Sequence, residues 1–434
     1  MNYLLKTILI FIFLQGSLMS VTLKEIEVNG EKITTIYEKN SIPTINFQLV
    51  FQNSGYITDF KNQKSGLANL SALMLNEGTK KLGSTNFATL LESKAITINT
   101  SCGLETFVIE ISALKSESKY AFLYLNELLK DPNTTKDSLD KLKNLIISTI
   151  KRKDSDYDYI AKQELKKIVF KNTPLQNSSL GEIEDIEKIS IKDVETFLNN
   201  TLTLSNLILV AGGDIEFEEF KNEITPIVKN LPKGTPQELE IIKAKDTKEY
   251  QEFYKNTEQA YIYFASPFET DSKNQENYKA KVASFILGAS GFGSRFLEEI
   301  RVKRGLAYSA YGYITINKSN SYFTGYLQTK LDKADEAKEL VVSLVEDFIK
   351  KGATQEELES AKLFLLGSEP LRSETLSQRL GRAFTYYYRG LPLDYNEKEL
   401  ELIKKLNLED LNKYIKNHSE INNLSFAIVT NKEK

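Results

Sequence analysis

The chain has 434 residues, of which 41% are hydrophobic and 26% are charged, and its 56 Lys and Arg against 59 Asp and Glu leave a formal net charge of −3. This composition is too apolar for a disordered chain and too evenly charged for a general nucleic-acid binder. The single histidine, His418, and the single cysteine, Cys102, also exclude any site that needs two imidazoles or two thiolates from this chain.

Residues 1–20 are predicted to be a cleaved export signal and not part of the fold. Lys6 precedes an apolar run, Ile8–Leu14, and small residues such as Ser17 and Ser20 offer a cleavage site. The run is well short of the roughly 20 residues that a bilayer-spanning helix needs. We therefore expect a mature protein that begins near Val21, lies in the periplasm and has no stable membrane span.

The first half of the mature chain mixes strand-like runs with helical segments. Period-two alternation of apolar residues predicts strands, and the predicted strands are Lys32–Tyr37, Thr44–Phe51, Ile96–Ser101 and Thr106–Ala113. Helical spacing predicts helices, which begin at Gly66 and cover Asp137–Phe170 and Phe217–Lys229.

An internal repeat relates this half to the rest of the chain. The segment Ile189–Val210 aligns without gaps with Leu406–Ala427, so that each position of the second copy follows its counterpart by the same 217 residues. Each copy is typical of an amphipathic helix, a polar turn and a strand. A repeat of half the mature length indicates a duplication.

The second half repeats the order of the first. Its predicted elements are the strand Ala260–Ala265, the helix Glu276–Leu287, the strands Ala307–Ile316 and Ser321–Leu327, and the helices Asp332–Ile349 and Gln355–Gly367. Residues 231–248, which begin with a Pro- and Gly-rich break and continue as a polar segment, are typical of a linker. We therefore expect domains at 21–230 and 249–434. The fold class is α+β: two similar halves, each a mostly antiparallel sheet with helices packed on one face.

Two segments resemble a known family. The stretch Gly291–Tyr308 closely resembles the most recognisable segment in the C-terminal half of the insulinase/pitrilysin peptidases, in particular their two-domain processing-peptidase branch. The segment Gly66–Thr79 falls where that family carries its inverted zinc motif, H-x-x-E-H. The resemblance covers essentially the whole mature chain and implies a half of a clam-like metallopeptidase dimer.

The zinc motif itself is degenerate. In the family, the two imidazoles hold zinc and the glutamate is the general base, but here these positions read Asn69, Ala72 and Leu73. The further glutamate ligand would come from a later helix, where Ser148 and Thr149 stand instead. We expect no zinc on this chain, and the chain is not a zinc peptidase on its own.

The second family feature is kept. In the family, an arginine and a tyrosine seven residues apart hold the substrate backbone near the scissile bond, and here they are Arg301 and Tyr308. A helix that ends near Arg301 and a strand that begins near Tyr308 bring the two side chains together, so that they can donate hydrogen bonds to a carbonyl or an oxyanion. Tyr311 and Tyr313 fall on the other face of that strand and are predicted to pack.

Some bacterial members of this branch are heterodimers in which one subunit carries the zinc motif and the other the Arg/Tyr pair. The resemblance therefore implies an exported, non-catalytic subunit of a heterodimeric zinc metallopeptidase. Zinc is expected on a homologous partner subunit, the substrate is expected to be a peptide or an unfolded protein, and no nucleic-acid partner is expected.

Other classes of function stay open at this point. One is a binding or assembly scaffold with no role in proteolysis. A hydrolase of different chemistry would need His418, which has no nucleophile motif near it, and Gly288–Gly293 lacks the lysine and the spacing of a phosphate-binding loop. The aromatic and basic stretch Arg379–Arg389 is typical of a helix face packed at a domain or subunit junction.

Overall fold

The computed structural model describes residues 21–291 and 293–431. The expected export signal, residues 1–20, lies outside the described residues. Within the described ranges, no helix combines the length and the apolar character that crossing a bilayer requires.

The N-terminal half is built on a six-stranded sheet with the strand order β1-β2-β6-β3-β5-β4. All neighbouring strands are antiparallel except β2 and β6, which run parallel. Its strands are β1 (Thr22–Val28), β2 (Glu31–Lys39), β3 (Thr44–Gln52), β4 (Thr97–Cys102), β5 (Thr106–Leu114) and β6 (Leu207–Gly213). Its helices are α1 (Asp59–Asn62), α2 (Leu67–Asn76), α3 (Gly83–Glu92), α4 (Ser118–Lys130), α5 (Lys136–Lys153), α6 (Tyr157–Val169), α7 (Ile183–Lys188), α8 (Ile191–Thr201) and α9 (Phe217–Val228).

The C-terminal half is built on a five-stranded sheet with the order β7-β11-β8-β10-β9. Within this sheet, β7 and β11 run parallel and the other described pairs are antiparallel. Its strands are β7 (Tyr250–Tyr254), β8 (Gln259–Pro267), β9 (Ala307–Ile316), β10 (Ser321–Lys330) and β11 (Ser425–Thr430). Its helices are α10 (Asn277–Ser284), α11 (Ala334–Lys351), α12 (Gln355–Gly367), α13 (Leu376–Tyr388), α14 (Tyr395–Lys405) and α15 (Leu408–Asn417). Wider π-helical turns cover Phe285–Ala289 and Leu297–Val302.

The structure confirms the expected fold class of two similar α+β halves. The repeated unit appears as α8 followed by β6 and as α15 followed by β11, and each strand is buried along its whole length between two neighbouring strands of its sheet. Both helices begin at side-chain caps, with Ser190 and Asn407 accepting the amides of Asp193 and Asp410. Similar local sequences in the two halves therefore form the same helix-and-strand unit.

The sheets differ from the expectation in one respect, because helices contact both of their faces. One face of each sheet packs against the helices of its own half, where the two large cores lie. The opposite face contacts a single helix of the other half: α6 lies against β8 and β11, and α13 lies against β2 and β6. Period-two alternation makes this possible, since Val210 and Leu209 of β6 face opposite cores. Each half thus provides one helix that packs on the second sheet face of the other half.

The segment that joins the halves is hydrogen-bonded to both of them. In the first half, Ser205 donates its backbone N–H to the carbonyl of Lys233 at 2.9 Å. In the second half, Ile242 donates its N–H to the carbonyl of Ser319 at 2.7 Å, and the Ile242 side chain is buried in the cluster between the halves. The linker predicted at 231–248 is therefore an extended, packed segment.

Candidate functional site

The helix at the zinc-motif position, α2, begins at a buried carboxylate. Asp59 accepts the backbone N–H groups of Gly66 at 2.8 Å and Ala68 at 2.9 Å, which satisfies donors that a helix start leaves unpaired. Gly66 has φ 92°, and a Cβ there would lie 2.8 Å from the carbonyl oxygen of Leu180. Burial raises the pKa of the Asp59 carboxyl to about 7, against the lowering effect of these two hydrogen bonds.

The three motif positions belong to the N-terminal core. Ala72 is 1% exposed, Leu73 is half-buried and packs against the core, and Asn69 is half-buried one turn earlier. A leucine has no donor atom, an alanine cannot act as a base, and an amide oxygen is a poor ligand for zinc. These side chains do not fit a catalytic zinc ion.

The helix that would supply the remaining ligand offers no carboxylate at the expected place. On α5, Ser148 is exposed, and Thr149 donates its hydroxyl to the carbonyl of Leu145 at 2.9 Å. The nearby carboxylate of Glu77 is held by Lys141 at 2.8 and 2.9 Å, which ties the end of α2 to α5. Within residues 21–291 and 293–431, no three His, Cys, Asp or Glu side chains gather as a metal-binding group.

The second set of predicted residues lies at a helix-to-strand corner of the C-terminal half. The helical segment starts at Ser294, whose hydroxyl oxygen accepts the N–H of Leu297 at 3.4 Å, and widens into the π-helical turn. It ends at Gly305, which has φ 60° and donates its N–H to the carbonyl of Arg301 at 3.0 Å. This C-terminal glycine turns the chain directly into β9.

A β-bulge at the start of β9 determines the direction in which the Tyr308 side chain points. The pairing register of β9 against β10 shifts between Ala307 and Ala310. Two residues, Tyr308 and Ser309, therefore stand opposite the single residue Gln328. Bulges bend a strand and redirect side chains, and here both flanking alanines face the core while Tyr308 is 81% exposed.

The corner brings Arg301 and Tyr308 together. The guanidinium carbon of Arg301 lies 4.4 Å from the centre of the Tyr308 ring, within the range of a cation–π contact. The neighbouring carboxylate of Glu299 is engaged by Lys303 at 2.6 Å and by Arg304 at 2.5 Å, which lowers the Glu299 pKa. The two basic neighbours thus neutralise the local carboxylate, and Arg301 is placed against the phenol.

The other tyrosines of β9 lie beyond the bulge. Because the bulge leaves both Ala307 and Ala310 facing the core, Tyr311 and Tyr313 lie on the outer face of the strand with Tyr308, and the expected placement on the other face is wrong. Tyr311 stacks on Tyr326 with ring centres 5.5 Å apart, as predicted for a packing residue. Tyr313 is 40% exposed and lines a cavity, so its packing is only partial. Sequence reasoning missed this cavity because its walls come from helices that are distant in the chain.

The lone histidine and cysteine are structural. His418 stacks on Phe268 with ring centres 4.4 Å apart, and its Nδ1 lies 2.8 Å from a carboxylate oxygen of Glu420. Cys102 ends β4, and its Sγ donates to the carbonyl of Gly103 at 3.5 Å. Burial raises the pKa of this thiol, which keeps it protonated.

The aromatic and basic stretch Arg379–Arg389 covers most of α13, at the junction of the halves, as predicted. Tyr387 exchanges a 2.8 Å hydrogen bond with Thr34, and Tyr388 donates its hydroxyl to Asn53 at 2.9 Å. The tyrosines of this stretch thus attach α13 to the N-terminal half.

Comparison with known proteins adds an independent finding. The family model "Insulinase (Peptidase family M16)" matches residues 34–182, and the model "Peptidase M16 inactive domain" matches residues 188–365. The "Non-peptidase homolog YmxG" of Helicobacter pylori is 43% identical over 435 residues, which cover 100% of both chains.

Solved structures share the fold. A crystal structure of a peptidase M16 inactive domain from Pseudomonas fluorescens has a TM-score of 0.84 and 23% identity, over 94% of this chain and 98% of the other. A protease from Helicobacter pylori has a TM-score of 0.82 and 15% identity, over 95% and 100%. At these identities the likeness establishes the fold and leaves the activity to the site residues.

Proposed function

Because the chain belongs to the insulinase family of peptidases, M16, we propose that it is the exported, non-catalytic subunit of a heterodimeric zinc metallopeptidase. Within the family it is a non-peptidase homologue, whose zinc-motif positions hold Asn69, Ala72 and Leu73. The proposal places zinc on a homologous partner subunit. It also places the complex in the periplasm, with residues 1–20 as the export signal.

One observation carries the proposal: the degenerate zinc motif coexists with a well-formed Arg301–Tyr308 pair. The pair is built by a C-terminal glycine, a β-bulge and a 4.4 Å cation–π contact, and Tyr308 is 81% exposed. A scaffold has no need to hold an arginine and a tyrosine together at its surface. A residue that completes a partner's site must be exposed in the separate subunit.

The chemistry of the pair follows from its donors. A guanidinium presents N–H groups in a fixed fork, and a phenol adds an O–H, so both can donate to the carbonyl oxygen of an extended peptide. The same donors stabilise the negative charge that develops on that oxygen when the peptide bond is attacked. Stacking against the tyrosine ring orients the arginine before the substrate arrives.

The test is reconstitution with the chain of the same genome that carries an intact H-x-x-E-H motif. Each chain is purified alone and then mixed, and hydrolysis of a quenched fluorescent peptide is followed. We expect activity only in the mixture. Arg301→Ala and Tyr308→Phe should each lower kcat by on the order of 10²-fold, since each removes a donor to the developing oxyanion.

Two matched variants serve as controls. Arg304→Ala removes a guanidinium three residues away that is paired with Glu299. Tyr120→Phe removes the hydroxyl of another exposed tyrosine with a cation–π partner, Lys94 at 3.6 Å. Both should leave activity unchanged. If Arg301→Ala and Tyr308→Phe also leave the mixed activity unchanged, the shared site is wrong and the scaffold alternative is favoured.

A further inference from the structure

The C-terminal half contains a cavity of about 610 Å³ that neither Arg301 nor Tyr308 lines. It lies between α10, α12, the end of α13 and α14. This volume is typical of sites for small molecules or short peptide segments. Apolar and polar groups share its wall about equally, and the apolar and aromatic side chains include Phe285, Ile314, Phe364, Tyr386 and Leu391.

Arg389 is a cation in this wall whose charge is not matched by a close carboxylate. It follows α13, and burial lowers the pKa of its guanidinium, against the opposing effect of Glu105 and Glu399. Within the part of the chain that the structure describes, neither an ion pair nor a side-chain hydrogen bond joins this guanidinium to another residue. Withdrawing a charge from water without a partner costs free energy, so a retained cation of this kind indicates a ligand.

The remaining charges define the ligand's charge. Lys281, also in the wall, is paired with Glu399 at 2.5 Å, and Arg372 lies at the exposed rim. Among the lining residues, these three cations and the carboxylate of Glu399 leave two positive charges, and Glu399 neutralises Lys281. Arg372 is exposed to water, so Arg389 carries the buried charge that a ligand would balance, and a single carboxylate does so while matching the fork of its guanidinium.

The mouth of the cavity continues into exposed apolar surface. Leu363 is 78% exposed, Phe364 is 51% exposed and Leu371 is 69% exposed, and Phe364 also lines the cavity. A ligand that occupies both regions has a carboxylate at one end and apolar groups along its length.

We infer that this cavity binds a carboxylate of a peptide through Arg389, with the adjoining apolar side chain packed against the rings of Phe285 and Phe364, which contact each other with centres 4.9 Å apart. The carboxylate chemistry follows from the cavity alone, whereas the choice of a peptide over a small free acid rests on the proposed function. The carboxylate is either the C-terminus of the peptide or an acidic side chain. Both sources share the same contact with the guanidinium.

Direct binding to the purified full chain tests the inference without any partner or activity readout. The probes are fluorescein-labelled hexapeptides that end in phenylalanine, one with a free C-terminal carboxylate and one amidated. We expect at least tenfold tighter binding of the free acid by fluorescence anisotropy. Arg389→Gln should remove this difference, and Arg152→Gln, an exposed arginine of α5, should preserve it.

Stability separates a ligand-binding role from a structural one. If Arg389 serves a ligand, Arg389→Gln removes an unmatched charge and leaves Tm unchanged or higher. Equal binding of acid and amide overturns the inference, and so does a lower Tm in Arg389→Gln with an unchanged acid-to-amide ratio.

Two further probes identify the source of the carboxylate. An amidated hexapeptide with glutamate as its last residue binds as tightly as the free acid if an acidic side chain is accepted, and as weakly as the amide if only a C-terminus is. N-acetylphenylalanine that competes as strongly as the hexapeptide would overturn the choice of a peptide. Because no partner is present, failure here leaves the reconstitution test of the shared site unaffected.

Discussion

Glu38 and Arg379 form a two-pronged ion pair across the two halves of the chain. Nε of Arg379 donates to both carboxylate oxygens at 3.0 Å, and Nη2 donates to one of them at 2.6 Å. The Glu38 side chain is 1% exposed, whereas that of Arg379 is 27% exposed. The arginine of α13 therefore compensates a carboxylate that is buried in β2.

Removing the arginine alone should destabilise the protein strongly. Arg379→Met leaves the Glu38 carboxylate buried without its partner, and we expect a loss of about 3–5 kcal/mol in the free energy of unfolding. Urea denaturation followed by circular dichroism measures the loss. Lys32→Met, which breaks an exposed pair with Glu25, should cost less than about 1 kcal/mol. If Arg379→Met costs no more than Lys32→Met, the pair does not hold the halves together.

Asp59 should make stability depend on pH in the direction opposite to an ordinary capping carboxylate. Its folded pKa of about 7 lies above its ordinary value of 3.8, so between these values the folded state binds more protons than the unfolded state. Its stabilising contribution is therefore full below about pH 4 and is lost as the pH rises toward 7. Compared with wild type, Asp59→Asn should show a flatter decline of the free energy of unfolding over this range.

Asp156 is a matched control whose contribution to stability should depend on pH in the opposite direction. It also caps a helix, accepting the N–H of Tyr159 at 3.0 Å, but its hydrogen bond with Lys153 lowers its pKa. Its contribution is present above the ordinary pKa of an aspartate and is lost as the pH falls. Identical pH profiles for Asp59→Asn and wild type between pH 4 and 7 would contradict the assignment for Asp59.

Metal removal should affect the two-chain enzyme and not the isolated chain. The motif positions of α2 offer at most one amide oxygen, so EDTA is expected to leave the Tm of the isolated chain unchanged and to abolish hydrolysis in the mixture. A double variant, Asn69→His with Leu73→His, places two imidazoles one turn apart and should gain a zinc-dependent rise in Tm. Each single variant controls for the change in packing. A fall in the Tm of the wild-type chain on adding EDTA would show that it holds a structural metal.

Cys102 should react slowly in the folded protein. Because burial raises the pKa of its thiol, little of the reactive thiolate exists at pH 8, and we expect alkylation by iodoacetamide at least tenfold slower than in urea. Mass spectrometry follows the reaction. Ser101→Cys in a Cys102→Ser background moves the thiol to the exposed face of β4 and should react at nearly the unfolded rate. Equal rates for the two folded proteins would contradict a protected Cys102.

The duplicated architecture was predictable because its signals are local. The apolar spacing and the capping residues of Ile189–Val210 and Leu406–Ala427 specify a helix and a strand whatever surrounds them. The strand β1 was missed because most of its side chains are exposed, so it lacks a strong apolar pattern. The segment Asp137–Phe170 reads as one helix but forms α5 and α6, which are separated at the Asp156 cap.

The candidate site was predictable in its residues and not in its geometry. The spacing of Arg301 and Tyr308 suggested convergence, yet their contact depends on a bulge that the β10 register imposes. Likewise, Arg389 was visible in a basic stretch, but its place in a cavity depends on α10, α12 and α14 meeting around it. Long-range packing decides such features, and no local pattern encodes them.

The reciprocal placement of α6 and α13 makes each half depend on the other for its stability. The helix that covers the second sheet face of each half belongs to the other half. Neither half alone can therefore bury the apolar residues of that face. A protease cut between residues 231 and 248 would therefore leave two fragments that remain associated. The two halves are therefore expected to unfold together as one cooperative unit.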